Sequence, residues 1–221
     1  MKLITFGVFI FALTFCGIAD KLKDFTSKSG SNTSSNSSSN TASNTKTANS
    51  STTSSSGDVT EKPTVTAEQQ ATLDGGQETK WDDQGMAWTL PKGWKKMNQT
   101  KEMFNYSSPD NAFLIANIST LGDNFPVDVS LKATFESSLQ QLKNGKYENA
   151  RYLEIDGIKG VEFIEVMPES KDDPRRQQWI AYRIYQGKTQ MLNIMLTTKG
   201  SNFEKHRNDF PAVLYSMKIQ K

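Results

Sequence analysis

Between residues 26 and 56 the chain is almost wholly serine, threonine and asparagine, interrupted only by Lys28, Gly30, Ala42, Lys46 and Ala48. Such a stretch has almost no apolar surface to bury, so nothing offsets the entropy lost on ordering it. It splits the 221-residue chain into an apolar head, a polar connector and one foldable remainder. From Trp81 onward the remainder is long enough for one sizeable core. The segment "KPTVTAEQQATLDGGQE" that follows the tract stays polar, with Gly75-Gly76 as a flexible joint. The expected organisation is residues 1–19 as signal peptide or membrane anchor, residues 20–80 as a disordered tether, and residues 81–221 as a single domain. A serine-rich coil spans about 5–6 Å times the square root of its length, so roughly 55 residues reach on the order of 40 Å. That is enough to hold a domain clear of a membrane surface. Asn-x-Ser/Thr triplets at Asn32, Asn36 and Asn49 follow from the tract's composition.

The head opens on a short basic start, Met1-Lys2, and runs apolar from Leu3 to Phe15, apart from Thr5, Gly7 and Thr14. This is the length of a signal-peptide core and shorter than the ~20 residues of a membrane span. Three readings follow. In the first, "LTFC" resembles a bacterial lipobox: Leu13 and Thr14 fit, Phe15 departs from the small residue expected there, and Cys16 becomes the lipid attachment point. In the second, Gly17 and Ala19 occupy the small-residue positions of a signal-peptidase site, with cleavage before Asp20. In the third, the run stays uncut as an anchor. All three place the domain on the exported side of a membrane, in the envelope, periplasm or extracellular space.

Charge narrows the partners. With 26 basic and 24 acidic residues the net charge is +2, and the basic residues are scattered, which argues against nucleic acid. Cys16 is the only cysteine, so no intrachain disulfide staples the fold.

Periodicity then sets the elements. "GMAWTLPKGWKKM" reads as a strand around Met86 to Thr89 followed by a Pro-x-Gly turn into Trp94. "EMFNYSS" is a strand, and residues 108–110 are a Ser-Pro-Asp turn. "NAFLIANIST" is apolar on both faces, as expected of a central strand covered on both sides. Leu131, Phe135, Leu139 and Leu142 form one helical stripe, with Pro126 near its start and Asn144-Gly145 near its stop. Residues 147–198 read as an antiparallel meander with turns at Asp156-Gly157 and Gln186-Gly187 and a charged loop, "PESKDDPRR". Ser201-x-x-Glu204 has the form of a capping box. It opens a last helix with the stripe Phe203, His206, Phe210 and Leu214, which Pro211 should kink or interrupt. "YSMKI" closes as a short strand. Strands, helix, strands, helix describes an α+β fold, an antiparallel sheet flanked by helices on both sides.

The string "LPKGWK", "YSSPDNAFLIANIS", "IDGIKGVEFIEV", "WIAYRIYQGKTQMLNIMLTT" and "FPAVLYSMKI" resembles the PsbP-like, Mog-type family, in its bacterial secreted or lipoprotein form. The resemblance spans residues 81–221. It implies an α/β/α sandwich and members that act mostly by binding other proteins, with no catalytic set to carry over.

No phosphate-cradling glycine loop, nucleophile elbow or metalloprotease helix occurs. Cys16 stands outside the domain, and His206 is the only histidine, read as a partly buried structural residue. The carboxylate pairs are Asp82-Asp83, Asp172-Asp173 and Glu162 with Glu165. Neighbours on a strand face opposite ways, and a loop pair such as Asp172-Asp173 lacks the full ligand spacing of a calcium loop. The expectation is no catalytic residue, no metal and no cofactor. Among the many large rings, most belong to the core; Trp81 or Trp94, if exposed, is the first choice for a partner-binding anchor. The resulting expectation is a membrane-tethered extracytoplasmic domain that binds an unidentified protein partner, without catalysis. The alternatives are a structural or envelope-housekeeping lipoprotein with no discrete ligand, and a carboxylate-based enzyme.

Overall fold

The structure, a computed structural model, describes residues 59–221. Cys16, the apolar head and residues 20–58 of the expected tether lie outside the described residues. Along the chain come β1 (Thr60–Glu61), α1 (Ala67–Leu73), β2 (Gln77–Trp81), β3 (Met86–Leu90), β4 (Lys95–Gln99), β5 (Met103–Ser107) and β6 (Phe113–Thr120). After α2 (Val127–Lys143) follow β7 (Tyr147–Ile155), β8 (Ile158–Glu165), β9 (Pro174–Tyr185) and β10 (Lys188–Lys199). The chain ends with α3 (Gly200–Phe203), α4 (Asp209–Tyr215) and β11 (Lys218–Ile219). Short 3-10 turns lie at Asp82–Gln84 and Glu204–His206.

The fold is α+β. An eight-stranded sheet runs in the order β1-β7-β8-β9-β10-β6-β5-β4, with every pairing antiparallel except the parallel β1–β7. The meander of β7 to β10 has the predicted hairpins. Asp156 and Gly157 take φ 48° and 76°, and Gln186 and Gly187 take 51° and 74°. Two successive positive φ angles give the turn twist that matches the strands, and a glycine second makes that backbone accessible.

The main core lies between this sheet and a layer not foreseen from the sequence, a three-stranded sheet of order β11-β3-β2 with α1, α3 and α4. Trp88, Trp179, Leu192, Ile194, Phe203 and Phe210 fill it. A second cluster, on the opposite face, packs Leu131 and Phe135 of α2 against Tyr152, Val161 and Phe163 of β7 and β8. Helices therefore stand on both faces, but α2 covers only the β7–β9 half. On β6, Leu114, Ala116 and Ile118 are buried, whereas Phe113 and Ile115 on the other face are half-buried. The strand is central in the sheet yet fully covered on one side alone.

Three expectations are corrected. The domain begins before Trp81: residues 59–80 form β1, α1 and β2 instead of the last part of a disordered tether. There, Thr66 caps α1 through a capping box with Gln69, the hydroxyl accepting from Gln69 N at 3.2 Å and the Gln69 side chain accepting from Thr66 N at 3.0 Å. The box expected at Ser201 and Glu204 is absent, because α3 already starts at Gly200 and Glu204 is bound by Arg175 and Arg207. Pro211 sits in the first turn of α4, where no intrahelical N–H is lost, and the break falls before it at residues 207–208.

Candidate partner-binding cleft

Two strand edges meet near the N-terminal part of the domain. β2 pairs with β3 on one side only, and β4 pairs with β5 on one side only. Their outer edges border a cleft of about 220 Å³ lined by Gln77 to Lys80 of β2, Lys96 and Gln99 of β4, and the rings of Trp94, Phe104 and Tyr106. Its far end is pinned shut by two side chains that donate to carbonyls of the β4–β5 connection: Trp81 Nε1 to Thr100 O at 3.2 Å and Gln84 Nε2 to Lys101 O at 2.5 Å.

The floor is aromatic because alternate residues of β3 and β5 point the same way. Trp88 and Phe104 meet edge-on with centroids 5.5 Å apart, and Phe104 lies 4.8 Å from Tyr106. Burial pushes the Tyr106 phenol up to about 12, against an opposing influence of the Thr79 side chain. Lys96 extends over the Phe104 ring at 5.7 Å and donates to Gln99 Oε1 at 3.2 Å. Among the described residues Lys92, Lys95, Lys96 and Lys101 form no ion pair.

Trp94 is positioned from below. The Pro91-x-Gly93 turn places it, with Gly93 at φ 87° and so close to Pro109 that a Cβ would lie 3.2 Å from the proline ring. The indole rests edge-on against His206 at 6.2 Å. His206 is held from both sides: its Nδ1 lies 2.7 Å from Asp209 Oδ2 and its Nε2 3.0 Å from Asp110 Oδ1. Burial opposes a charge on the ring, but the two carboxylates outweigh it and hold His206 above the ordinary imidazole value. Ser108 Oγ donates to Asp110 Oδ1 at 2.7 Å and accepts from Ala112 N, fixing the Ser-Pro-Asp turn. This clamp joins the turn to the last helical segment, and its histidine is the structural residue expected.

The expected anchors need correction. Trp81 is 0% exposed and sits edge-on to Trp88 and Phe104, so it belongs to the core. Trp94 is 8% exposed and contributes only a rim to the cleft floor, not a projecting ring. Sequence reading missed Lys96, Gln99, Phe104 and Tyr106, and it missed β2 altogether.

The carboxylate pairs named from the sequence divide: Asp82 and Asp83, with Glu102, line one cavity of about 610 Å³ that also carries Lys101 and Lys188, while Glu162, Glu165 and Asp172 are held by basic side chains. Glu162, 0% exposed, accepts from Arg151 Nε at 2.6 Å and from Gln177 Nε2 at 2.9 Å. Arg151 continues to Glu61 and to the Tyr215 hydroxyl, tying β1, β7, β8 and α4 together. Glu165 pairs with Arg176, and Asp172 with Lys199. Arg175, almost fully buried over the Phe203 ring, bonds Glu148, Glu204 and the Glu165 carbonyl. The Arg207 hydrogen bond, against slight burial and with help from Arg175, draws Glu204 down to about 2. Among the described residues no cluster of three or more potential metal ligands occurs. Among them, too, no helix is long and apolar enough to cross a membrane.

No protein-family profile and no curated protein matches the chain. Solved structures do. LpqN of Mycobacterium tuberculosis, described as involved in cell envelope biogenesis, is similar at 12% identity and a TM-score of 0.48, over 66% of this chain and 86% of that one. The cyanobacterial PsbP of Synechocystis is similar at 14% identity and a TM-score of 0.43, over 66% of this chain and 92% of that one. A Bacteroides thetaiotaomicron protein is similar at 13% identity and a TM-score of 0.44 over 66% of this chain, which spans about half, 49%, of that protein. A PsbP structure, the type named from the residues, is thus among the similar ones. Each likeness concerns the course of the chain alone, and the site stands on this chain's own residues.

Proposed function

We propose that the chain is an exported accessory protein, held at a membrane through its N-terminal segment, whose domain binds another protein in the cell envelope and performs no catalysis. The cleft between β2 and β4 carries this reading. It combines two strand edges each paired on one side, an aromatic floor and Lys96, which forms no ion pair among the described residues, features of recognition by contact. The acidic side chains speak the same way. Glu162, Glu165, Glu204 and Glu148 are engaged with arginines and build the fold, so none of these four is available to a carboxylate-based enzyme. The apolar head and the Ser/Thr/Asn tract support the location.

A photo-crosslinking residue placed at Gln99 in cells with an intact envelope tests the binding. One defined protein adduct is expected there, and none from the same residue at Lys171 in the charged loop. Absence of any adduct at Gln99 and at further surface positions around the domain would remove the reading. Intact-mass analysis of the mature protein tests the location: a diacylated Cys16, a start at Asp20 and a retained Met1 give three distinct masses.

A further inference from the structure

The cleft also indicates what kind of segment it takes. We infer that it recognises an extended, acidic peptide segment, which adds as a strand along the outer edge of β2 and places one apolar side chain on the Trp94–Phe104–Tyr106 floor. The inference rests on the protein-binding reading above and gives it a mode and a chemistry.

The backbone comes first. β2 is a regular five-residue ladder against β3, with continuous register from Gln77↔Leu90 to Trp81↔Met86. Its other edge has no strand beside it among the described residues, so its outward N–H and C=O groups stand ready for a ladder. β4 is the poorer template. Its register shifts between Lys96 and Asn98, and such a bulge twists an edge away from further pairing. The strand therefore adds to β2, and β4 forms the opposite wall.

Size comes next. A cleft of about 220 Å³ does not enclose a whole strand, but it accommodates one large aliphatic or aromatic side chain. The floor beneath is three rings with the Lys96 chain lying beside them. Because side chains alternate across a strand, one inward apolar residue leaves its neighbours facing outward.

Charge selects those neighbours. Lys80 and Lys96 line the cleft, with Glu78 the only acid among the lining residues. Glu78 stands 3.9 Å from Lys80, both well exposed, a pair of small net worth in water. Lys101, on the β4–β5 connection, lines a separate cavity together with Asp82, Asp83 and Glu102. The lining therefore holds two lysines to one glutamate, and Lys96 has no ion-pair partner among the described residues, a balance that an acidic segment offsets. The same charges disfavour edge-to-edge pairing of two copies through β4, which would set Lys95 and Lys96 against themselves.

The test uses the full-length protein and two synthetic nine-residue peptides, one alternating valine with glutamate, the other valine with lysine. Amide exchange is followed residue by residue. The expected result is slowing of the outward amides of Gln77 to Lys80 by tenfold or more with the glutamate peptide alone, fading as salt rises. Lys80→Glu combined with Lys96→Glu exchanges exposed side chains and should transfer the preference to the lysine peptide. An unchanged melting curve shows that the variant is folded. No protection at β2 with either peptide, or equal protection with both, overturns the inference. Protection on the half-covered face around Phe113 and Ile115 overturns it too, while leaving a protein-binding domain in place. Failure of the Gln99 crosslink together with absence of protection anywhere removes both.

Discussion

Glu162 and Gly160 lie on one strand and show how closely single side chains are specified. Glu162 is a carboxylate without water, matched by Arg151 and Gln177. Arg151→Met leaves it buried with only an amide donor, which costs on the order of 3–5 kcal/mol. Arg151→Met with Glu162→Met should recover much of that loss, because no uncompensated charge remains; urea denaturation of the two variants measures the difference. Gly160 pairs with Ala181, and a Cβ there would lie 2.4 Å from Trp179 Nε1, a nitrogen already committed to the Leu153 carbonyl at 3.1 Å. Gly160→Ala therefore overpacks the core and should destabilise the domain by about 1–3 kcal/mol in the same measurement. None of this was legible in the sequence. Glu162 stood out there only as one half of a carboxylate pair with Glu165, since a one-dimensional reading shows spacing but not which arginine arrives from the neighbouring strand.

At the scale of elements, the sequence was clearest where a local signal and a burial pattern agreed. The Asp156-Gly157 and Gln186-Gly187 turns, and the stripe from Leu131 to Leu142, each combine a backbone preference with the right apolar period, and each is present. α1 and β2 were lost for the opposite reason. Leu73 is the only buried residue of α1, and β2 buries Thr79 and Trp81 beside three exposed polar residues. Their apolar content is too thin to register, although Thr66-x-x-Gln69 was available as a capping signal. Ser201-x-x-Glu204 had the same form and gave no cap, because a stronger demand from Arg175 and Arg207 occupies the glutamate. Thr66→Ala should therefore cost about 1 kcal/mol and loosen amide protection across α1, whereas Ser201→Ala should leave stability nearly unchanged.

For the whole molecule, the order of strands 7 to 10 was readable because each hairpin joins neighbours. The three-stranded sheet was not, since β11 reaches β3 from the far end of the chain, and nothing local announces that pairing. The cleft lining, by contrast, is local in sequence, but it lies between β2 of the smaller sheet and β4 and β5 of the larger one, and no periodicity shows that two sheets meet there. The charges of the whole domain also set two limits on stability. Glu204 sits at about 2 in the folded protein, below its ordinary 4.5, so its contribution is present above 4.5 and is lost as pH falls from there toward 2. His206 is held above its ordinary 6.5, so its contribution is complete below 6.5 and is lost as pH rises through the raised value. Denaturant midpoints against pH should decline on both sides, with Glu204→Gln flattening the acid limb and His206→Gln the limb above 6.5.

The chain enters the described domain through β1, two residues laid parallel to β7 and secured by Glu61–Arg151 at 2.6 Å and Lys62–Glu154 at 3.1 Å. Any mechanical tension in the preceding segment reaches the sheet there. A two-residue strand at an edge yields at lower force than the long β9–β10 hairpin behind it, so it parts first. Residues 59–66 then pay out roughly 25 Å of chain, at about 3.3 Å per residue, before α1 bears the load. The domain thus has a give of its own where the preceding chain enters it, while β4 lies at the other end of the sheet.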